Sequence, residues 1–249
     1  MVVDSEKDLR ALRRIGEIVA QALEHMKANL HPGMTTAELD AIGGAFLQAH
    51  RAHSAPILVY NFPGETCISI NDEAAHGIPG ERVIQPGELV NIDISAELDG
   101  YFADTAATVP VPPVQPLQQR LCECTQQALM EAINSARAGQ PMSVIGRAIE
   151  QRANRCGFRI IRNLGGHGVG RSIHEEPRFI YNYENPADQR IMVEGQVITI
   201  EPFFSTGADM VVTAKDGWTL RTPDGSLSAQ YEHTLVVTGQ APIVITQLH

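Results

Sequence analysis

Two segments 108 residues apart carry one pattern. Pro86-Gly87-Glu88-Leu89-Val90-Asn91-Ile92-Asp93 falls on Glu194-Gly195-Gln196-Val197-Ile198-Thr199-Ile200-Glu201. In each, a glycine leads into an apolar run that ends on a carboxylate. Upstream, Gly33, Leu39 and Ile42 fall on Gly139, Ile145 and Ala148 at an offset of 106. Two such halves constrain the chain to an α+β fold with pseudo-twofold symmetry. A cleft between them would receive equivalent side chains from both. Residues 1–249 read as a single domain, with halves of roughly 1–109 and 116–249.

Local signals fill in each half. Ser5-Glu6-Lys7-Asp8 fits a capping box, and Leu9, Leu12, Gly16, Val19, Leu23, Met26 and Leu30 follow at spacings of three and four. Pro32-Gly33 stops that helix. Thr35-Thr36-Ala37-Glu38 starts a second, running to about Ala49. From about Val59 the texture is that of strands. After the linker Pro110-Val111-Pro112-Pro113 the order recurs: a long helix over 116–138, ended by Gly139, then a helix capped by Ser143 and ended by Gly157.

Composition narrows the class. Hydrophobic residues are 43% and charged residues 19%, a globular balance. A net charge of −10 argues against broad nucleic-acid binding, which needs a basic face. No apolar run approaches the ~18 residues of a membrane span, and no membrane partner is expected. The first six residues lack the basic-then-apolar order of a signal peptide, so a cytoplasmic location is expected. Cys67, Cys122, Cys124 and Cys156 lack the spacing of a zinc site and read as free thiols of a reducing compartment.

The chemistry sits on the strands. Asp99-Gly100 is a favoured two-residue hairpin turn between residues 90–95 and 101–109. With that turn, Asp104 lies opposite Ser95, two residues from Asp93. The two Asp side chains share one face, with Cα atoms roughly 7–8 Å apart. Glu201 and Glu232 repeat the situation in the second half. Carboxylates on apolar strands are costly unless paired or bound to a cation. His167 adds an imidazole within Gly165-Gly166-His167-Gly168-Val169-Gly170, whose glycines let the backbone come close to whatever the ring holds. That segment has no following Lys or helix, which makes a phosphate loop a poor reading. One His and four acids form an oxygen-dominated set. It suits Mn²⁺, Fe²⁺, Co²⁺ or Zn²⁺, and four carboxylates can bridge two ions roughly 3.5–4 Å apart, as in two-metal hydrolases. His76 and His174 remain free to hydrogen-bond a substrate.

These residues resemble type I methionine aminopeptidases, over about Leu9 to Leu248. The motifs are Cys67-Ile68-Ser69-Ile70-Asn71, His76-Gly77-Ile78-Pro79, Asn91-Ile92-Asp93 with Asp104-Thr105, and Gly166-His167-Gly168-Val169-Gly170 with His174-Glu175-Glu176-Pro177. Thr199-Ile200-Glu201-Pro202, Asp216-Gly217-Trp218 and Ser228-Ala229-Gln230-Tyr231-Glu232-His233-Thr234 complete them. The resemblance implies the pita-bread (creatinase/aminopeptidase-like) fold around a central metal cleft. It implies removal of the initiator Met from nascent chains whose second residue is small. Asp93 matches a bidentate ligand of one divalent ion (Co, Mn, Fe or Zn). Asp104 and Glu232 match bridging carboxylates. His167 and Glu201 match ligands of a second ion, with Glu201 also the proton shuttle. His174 matches the histidine at the scissile carbonyl oxygen, and His76 the one near the scissile nitrogen. A monovalent cation (Na or K) is implied at main-chain oxygens near Asn71, Glu73 and Ser228. A monomer is expected, and the ribosome is a further partner the resemblance admits.

By the same resemblance, Pro56, Val59, Phe62, Ile173 and Trp218 line an apolar pocket for the Met side chain. Many relatives carry Cys at the position of Pro56 and Tyr at those of Val59 and Phe62, so this pocket is expected to be apolar but poorer in hydroxyls. Two alternatives are an Xaa-Pro aminopeptidase or prolidase of the same fold and a non-catalytic binding protein. The first usually carries another N-terminal domain; the second typically loses ligands that are all present here. Cys122, Cys124 and the tail ending in His249 carry no assigned role beyond packing and a frayed end.

Overall fold

The computed structural model describes residues 1–248; His249, and with it the reading of the tail's last residue, lies outside them. The chain opens with α1 (Glu6–Asn29) and α2 (Thr36–Ala49), followed by β1 (His53–Ser54), α3 (Ala55–Tyr60), β2 (Cys67–Ile70) and β3 (Glu73–Ala75). The hairpin β4 (Leu89–Leu98) and β5 (Tyr101–Pro110) closes the first half. The second half repeats the helix pair as α4 (Pro116–Ser135) and α5 (Ser143–Cys156). Then come β6 (Arg159–Ile160), β7 (Gly165–Gly168), β8 (Glu175–Tyr181), β9 (Val197–Ile200) and β10 (Phe203–Ser205). The chain continues with β11 (Val212–Thr213), β12 (Leu220–Arg221), β13 (Ser228–Val236) and β14 (Ile243–Val244).

The main sheet runs β1-β4-β5-β13-β9-β7-β8, every pair antiparallel, so β5 of the first half and β13 of the second meet at its centre. A small sheet, β11-β12-β3, lies apart from it. The β4–β5 register pairs Ser95 with Asp104, as the Asp99-Gly100 turn dictates. Asp99 (φ 53) and Gly100 (φ 81) are both left-handed, the conformation such a turn requires.

Alternation on β4 explains the layering. Val90, Ile92, Ile94 and Ala96 are fully buried in a core shared with Leu12, Ile15, Val19 and Met26 of α1 and Leu39 of α2. Asn91, Asp93 and Ser95 therefore point the other way, into the cleft. The second half builds its own core from Leu129 and Ile133 of α4, Ile145 and Ile149 of α5, and Ile198 and Leu235 of β9 and β13. Each fully buried Leu or Ile contributes about 1.5–3 kcal/mol, so the two cores hold the cleft walls firmly. Among the described residues, no helix is long and apolar enough to cross a membrane.

Four sequence expectations need correction. Ser143 was expected to cap α5, but it is the first residue of that helix, and the cap position falls to Met142, which makes no side-chain capping hydrogen bond. Strand texture was expected from about Val59, but residues 55–60 form α3, because the Ser54 hydroxyl accepts from Ile57 N and Pro56 sits in the first turn. The helix expected over 116–138 stops at Ser135, and Ala136 is extended (φ −74, ψ 110). Cys124 and Cys156 are not free thiols. They form a disulfide, because packing of α4 on α5 brings their Cα atoms to 6.4 Å. Cys67 and Cys122 are free and buried.

Candidate metal centre

The middle of the sheet delivers the acids. Asp93 (β4), Asp104 (β5) and Glu232 (β13) come from adjacent strands, and Glu201 follows β9. His167 sits on β7, pressed inward by its neighbours. A Cβ at Gly166 would lie 2.4 Å from Thr199 O, and one at Gly168 would lie 2.3 Å from Glu176 O. Only glycine lets β7 approach β9 and β8 this closely. Donor atoms of Asp104, His167 and Glu232 all fall within 4.8 Å of one another. His167 Nε2 is 3.6 Å from Glu201 Oε1 and 3.8 Å from Asp104 Oδ2.

The ring of His167 is oriented by a carbonyl. Its Nδ1 lies 2.9 Å from Gly168 O. A carbonyl only accepts, so Nδ1 carries the hydrogen and the Nε2 lone pair faces the acids. Thr199 Oγ1 accepts from His167 N and donates to Glu201 Oε1. Gln230 Nε2 donates to Glu201 Oε2 at 3.1 Å and to Glu232 Oε2 at 3.5 Å. These supports were missed in the sequence, where a Gln or Thr on a strand carries no distinctive signal.

Electrostatics show what the cluster needs. Burial raises Asp93 from 3.8 to about 6. Burial, then the charges of Glu232 and Asp93, hold Asp104 well above the ordinary value. Glu201 and Glu232 are raised by burial and by the other acids. His167 is pushed down to about 3 by burial, so its ring is neutral at any neutral pH. Asp104 Oδ1 and Glu232 Oε1 are buried without a hydrogen-bond partner. Crowded acids with orphaned oxygens and a lone pair aimed among them fit a divalent cation, which offsets their repulsion.

A cavity of about 380 Å³ opens beside the cluster. Pro56, Phe62, Ile173 and Trp218 line it, as the sequence suggested, and Phe62 meets Trp218 edge-on at 5.2 Å. Val59 does not. The turn of α3 leaves it 38% exposed and brings its neighbour Tyr60 to the cavity instead. The pocket therefore keeps a hydroxyl that the sequence reading had removed. Cys67 and Phe179 also line it. His76 and His174 stand at its rim, and the His174 ring centroid is 4.2 Å from that of His167. His76 occupies a left-handed position (φ 55). Such strain costs on the order of 1–3 kcal/mol and persists where surrounding structure enforces it. The next residue, Gly77, is held against β2: Ile68 N donates to its carbonyl at 2.9 Å, its own N–H donates to Ser69 Oγ at 3.0 Å, and a Cβ there would lie 2.2 Å from Ile68 O. Away from the cavity, the Ser228 hydroxyl lies 3.1 Å from Asn71 O and 3.3 Å from Glu73 O, sharing its one hydrogen between them, so these three residues do meet.

The family model for metallopeptidase family M24 matches residues 10–239. The chain belongs to this family. As a metallopeptidase of family M24 it uses divalent metal, in keeping with the cluster described above. It is 47% identical to methionine aminopeptidase 2 of Bacillus subtilis (strain 168), over all of both chains. Among solved structures it is similar to the methionine aminopeptidase of Rickettsia prowazekii, with a TM-score of 0.94 and 36% identity over 99% of this chain and 100% of that one. The Pyrococcus furiosus prolidase has the same fold, with a TM-score of 0.78 and 22% identity over all of this chain and 66% of that one. These likenesses bear out the pita-bread fold.

Proposed function

We propose that this M24 enzyme is a methionine aminopeptidase that removes the initiator Met from chains whose second residue is small. The observation that carries the reading is the buried meeting of Asp93, Asp104, His167, Glu201 and Glu232 beside an apolar cavity. Full-length likeness to methionine aminopeptidases supports it. Asp93, Asp104, His167, Glu201 and Glu232 would hold the divalent metal. Metal held there would supply Lewis acidity and lower the pKa of bound water toward neutral. Glu201, beside His167 in the cluster, would be placed to take a proton from the attacking water and pass it toward the leaving nitrogen. His174 donates to the scissile carbonyl oxygen as charge builds there. His76 stands near the scissile nitrogen. Pro56, Phe62, Ile173 and Trp218 bury the Met side chain. A CH₂ in such a pocket discriminates by about 1–3 kcal/mol, enough for a preference between side chains.

The remaining readings follow from this one. The chain works as a single-domain monomer in the cytoplasm on nascent N-termini, with the ribosome as a neighbour. The main-chain oxygens at Asn71 and Glu73, with Ser228, hold a sodium or potassium ion. The test uses protein stripped of metal and reloaded with Mn²⁺, Fe²⁺, Co²⁺ or Zn²⁺, scoring free Met from Met-Ala-Ser and Met-Lys-Ser and free Ala from Ala-Pro-Ser. Release from Met-Ala-Ser alone is expected. Cleavage of Ala-Pro-Ser in preference would make the protein a prolidase-like enzyme, and no release with any metal would make it a binding protein.

A further inference from the structure

His174 lies just before β8, on a segment without regular structure, and needs something to hold its ring. Helix α3 provides it. Ile57, Leu58, Val59 and Tyr60 are all exposed, but of the four only Tyr60 lines the cavity, and Asn61, left-handed at φ 55, ends the helix after it. The Tyr60 hydroxyl reaches His174 Nδ1 at 2.6 Å, with ring centroids 5.6 Å apart. Among the described residues the hydroxyl has no other protein partner. A phenol is protonated throughout the neutral range, so it has a hydrogen to give.

We propose that Tyr60 is a positioning residue: its hydroxyl donates to His174 Nδ1, which places the ring's single proton on Nε2 and makes that nitrogen a hydrogen-bond donor into the cleft. The inference deepens the aminopeptidase reading and rests on it for the role of His174. A neutral imidazole has one N–H, and which nitrogen carries it is set by the partner of the other. An acceptor at Nδ1 would send the proton the other way and leave Nε2 facing a substrate carbonyl lone pair to lone pair. Tyr60 therefore supplies the protonation pattern that a carbonyl-polarising histidine needs, without touching the scissile bond. Its exposure at the rim also lets an incoming chain pass beside it.

The test reads the tautomer directly. Long-range ¹H–¹⁵N spectra of the zinc-loaded protein are expected to show His174 Nδ1 unprotonated and Nε2 protonated. In Tyr60→Phe the two tautomers mix. Release of Met from Met-Ala-Ser then falls about 10–100-fold in kcat, the range for loss of an orienting partner, with KM within about twofold. Melting temperature stays that of the wild type, and Val59→Ala, one residue away and solvent-facing, changes neither spectrum nor rate. A wild-type His174 protonated at Nδ1 overturns the proposal, as does a Tyr60→Phe spectrum identical to the wild type. Wild-type protein that shows the expected tautomer but releases no Met overturns the aminopeptidase reading and leaves the Tyr60–His174 pairing standing.

Discussion

Replacing Asp104 by Asn should stabilise the metal-free protein while destroying its metal site, and the stabilisation should grow with pH. Asp104 and Glu232 place carboxylate oxygens within 4.8 Å of each other. Two like charges at that distance, at an effective dielectric of about 20, repel by about 3 kcal/mol. The sign follows from the raised pKa of Asp104. Below 3.8 the carboxyl is protonated in folded and unfolded chains alike, and nothing is lost. As pH rises from there through the folded value, the unfolded chain gives up the proton more readily, and stability falls. Asn cannot ionise, so the variant escapes that loss. Metal-free wild type and Asp104→Asn should melt together near pH 4, where histidine effects are common to both. By pH 8.5 the variant should melt higher, by up to about 6–12 °C if the full repulsion is expressed. With Zn²⁺ present the order reverses, because only the wild type gains from binding. Calorimetry of both proteins at several pH values, with and without metal, is the assay. A metal-free variant that melts at or below the wild type at every pH refutes the reasoning.

His174→Ala and His76→Ala should each lower kcat by about 10²–10³-fold, the range for removing a transition-state donor, and leave bound metal per chain unchanged; loss of metal in either would place that histidine among the ligands. Gly166→Ala drives a Cβ to 2.4 Å from Thr199 O and should cost about 1–3 kcal/mol while weakening metal affinity through the displaced His167, measured by melting and by metal titration. Alkylation of the unfolded protein should modify two cysteines without reductant, Cys67 and Cys122, and all four after reduction; four modified without reductant would mean that Cys124 and Cys156 are unpaired.

The parts legible in sequence are those fixed by short-range rules. Asp99-Gly100 admits a two-residue turn, and that turn alone sets the register that brings Asp93 and Asp104 to one face. Ser5, Thr35 and Gly157 end helices by hydrogen bonds or left-handed geometry with a sequence signature. The acids were legible because charge on an apolar strand needs an explanation. What escaped depends on packing. From about Val59 the β-branched texture reads as strand, yet one cap at Ser54 winds residues 55–60 into α3. The helix phase then decides between Val59 and Tyr60 at the cavity, and a one-residue difference rotates the side chain by about 100°. The Cys124–Cys156 bond needs the α4–α5 approach, which no local signal encodes. Gln230 and Thr199 matter only because the strands around them place Glu201 within reach.

Removal of methionine should require metal held by Asp93, Asp104, His167, Glu201 and Glu232. The most direct test titrates Mn²⁺ into the stripped protein and records, at each point, bound metal per chain and free Met released from Met-Ala-Ser. Release should rise from nothing in step with bound metal in the wild type, and Asp104→Asn should neither take up Mn²⁺ tightly nor release Met. Release that persists in the stripped protein, or that Asp104→Asn retains, would contradict that requirement.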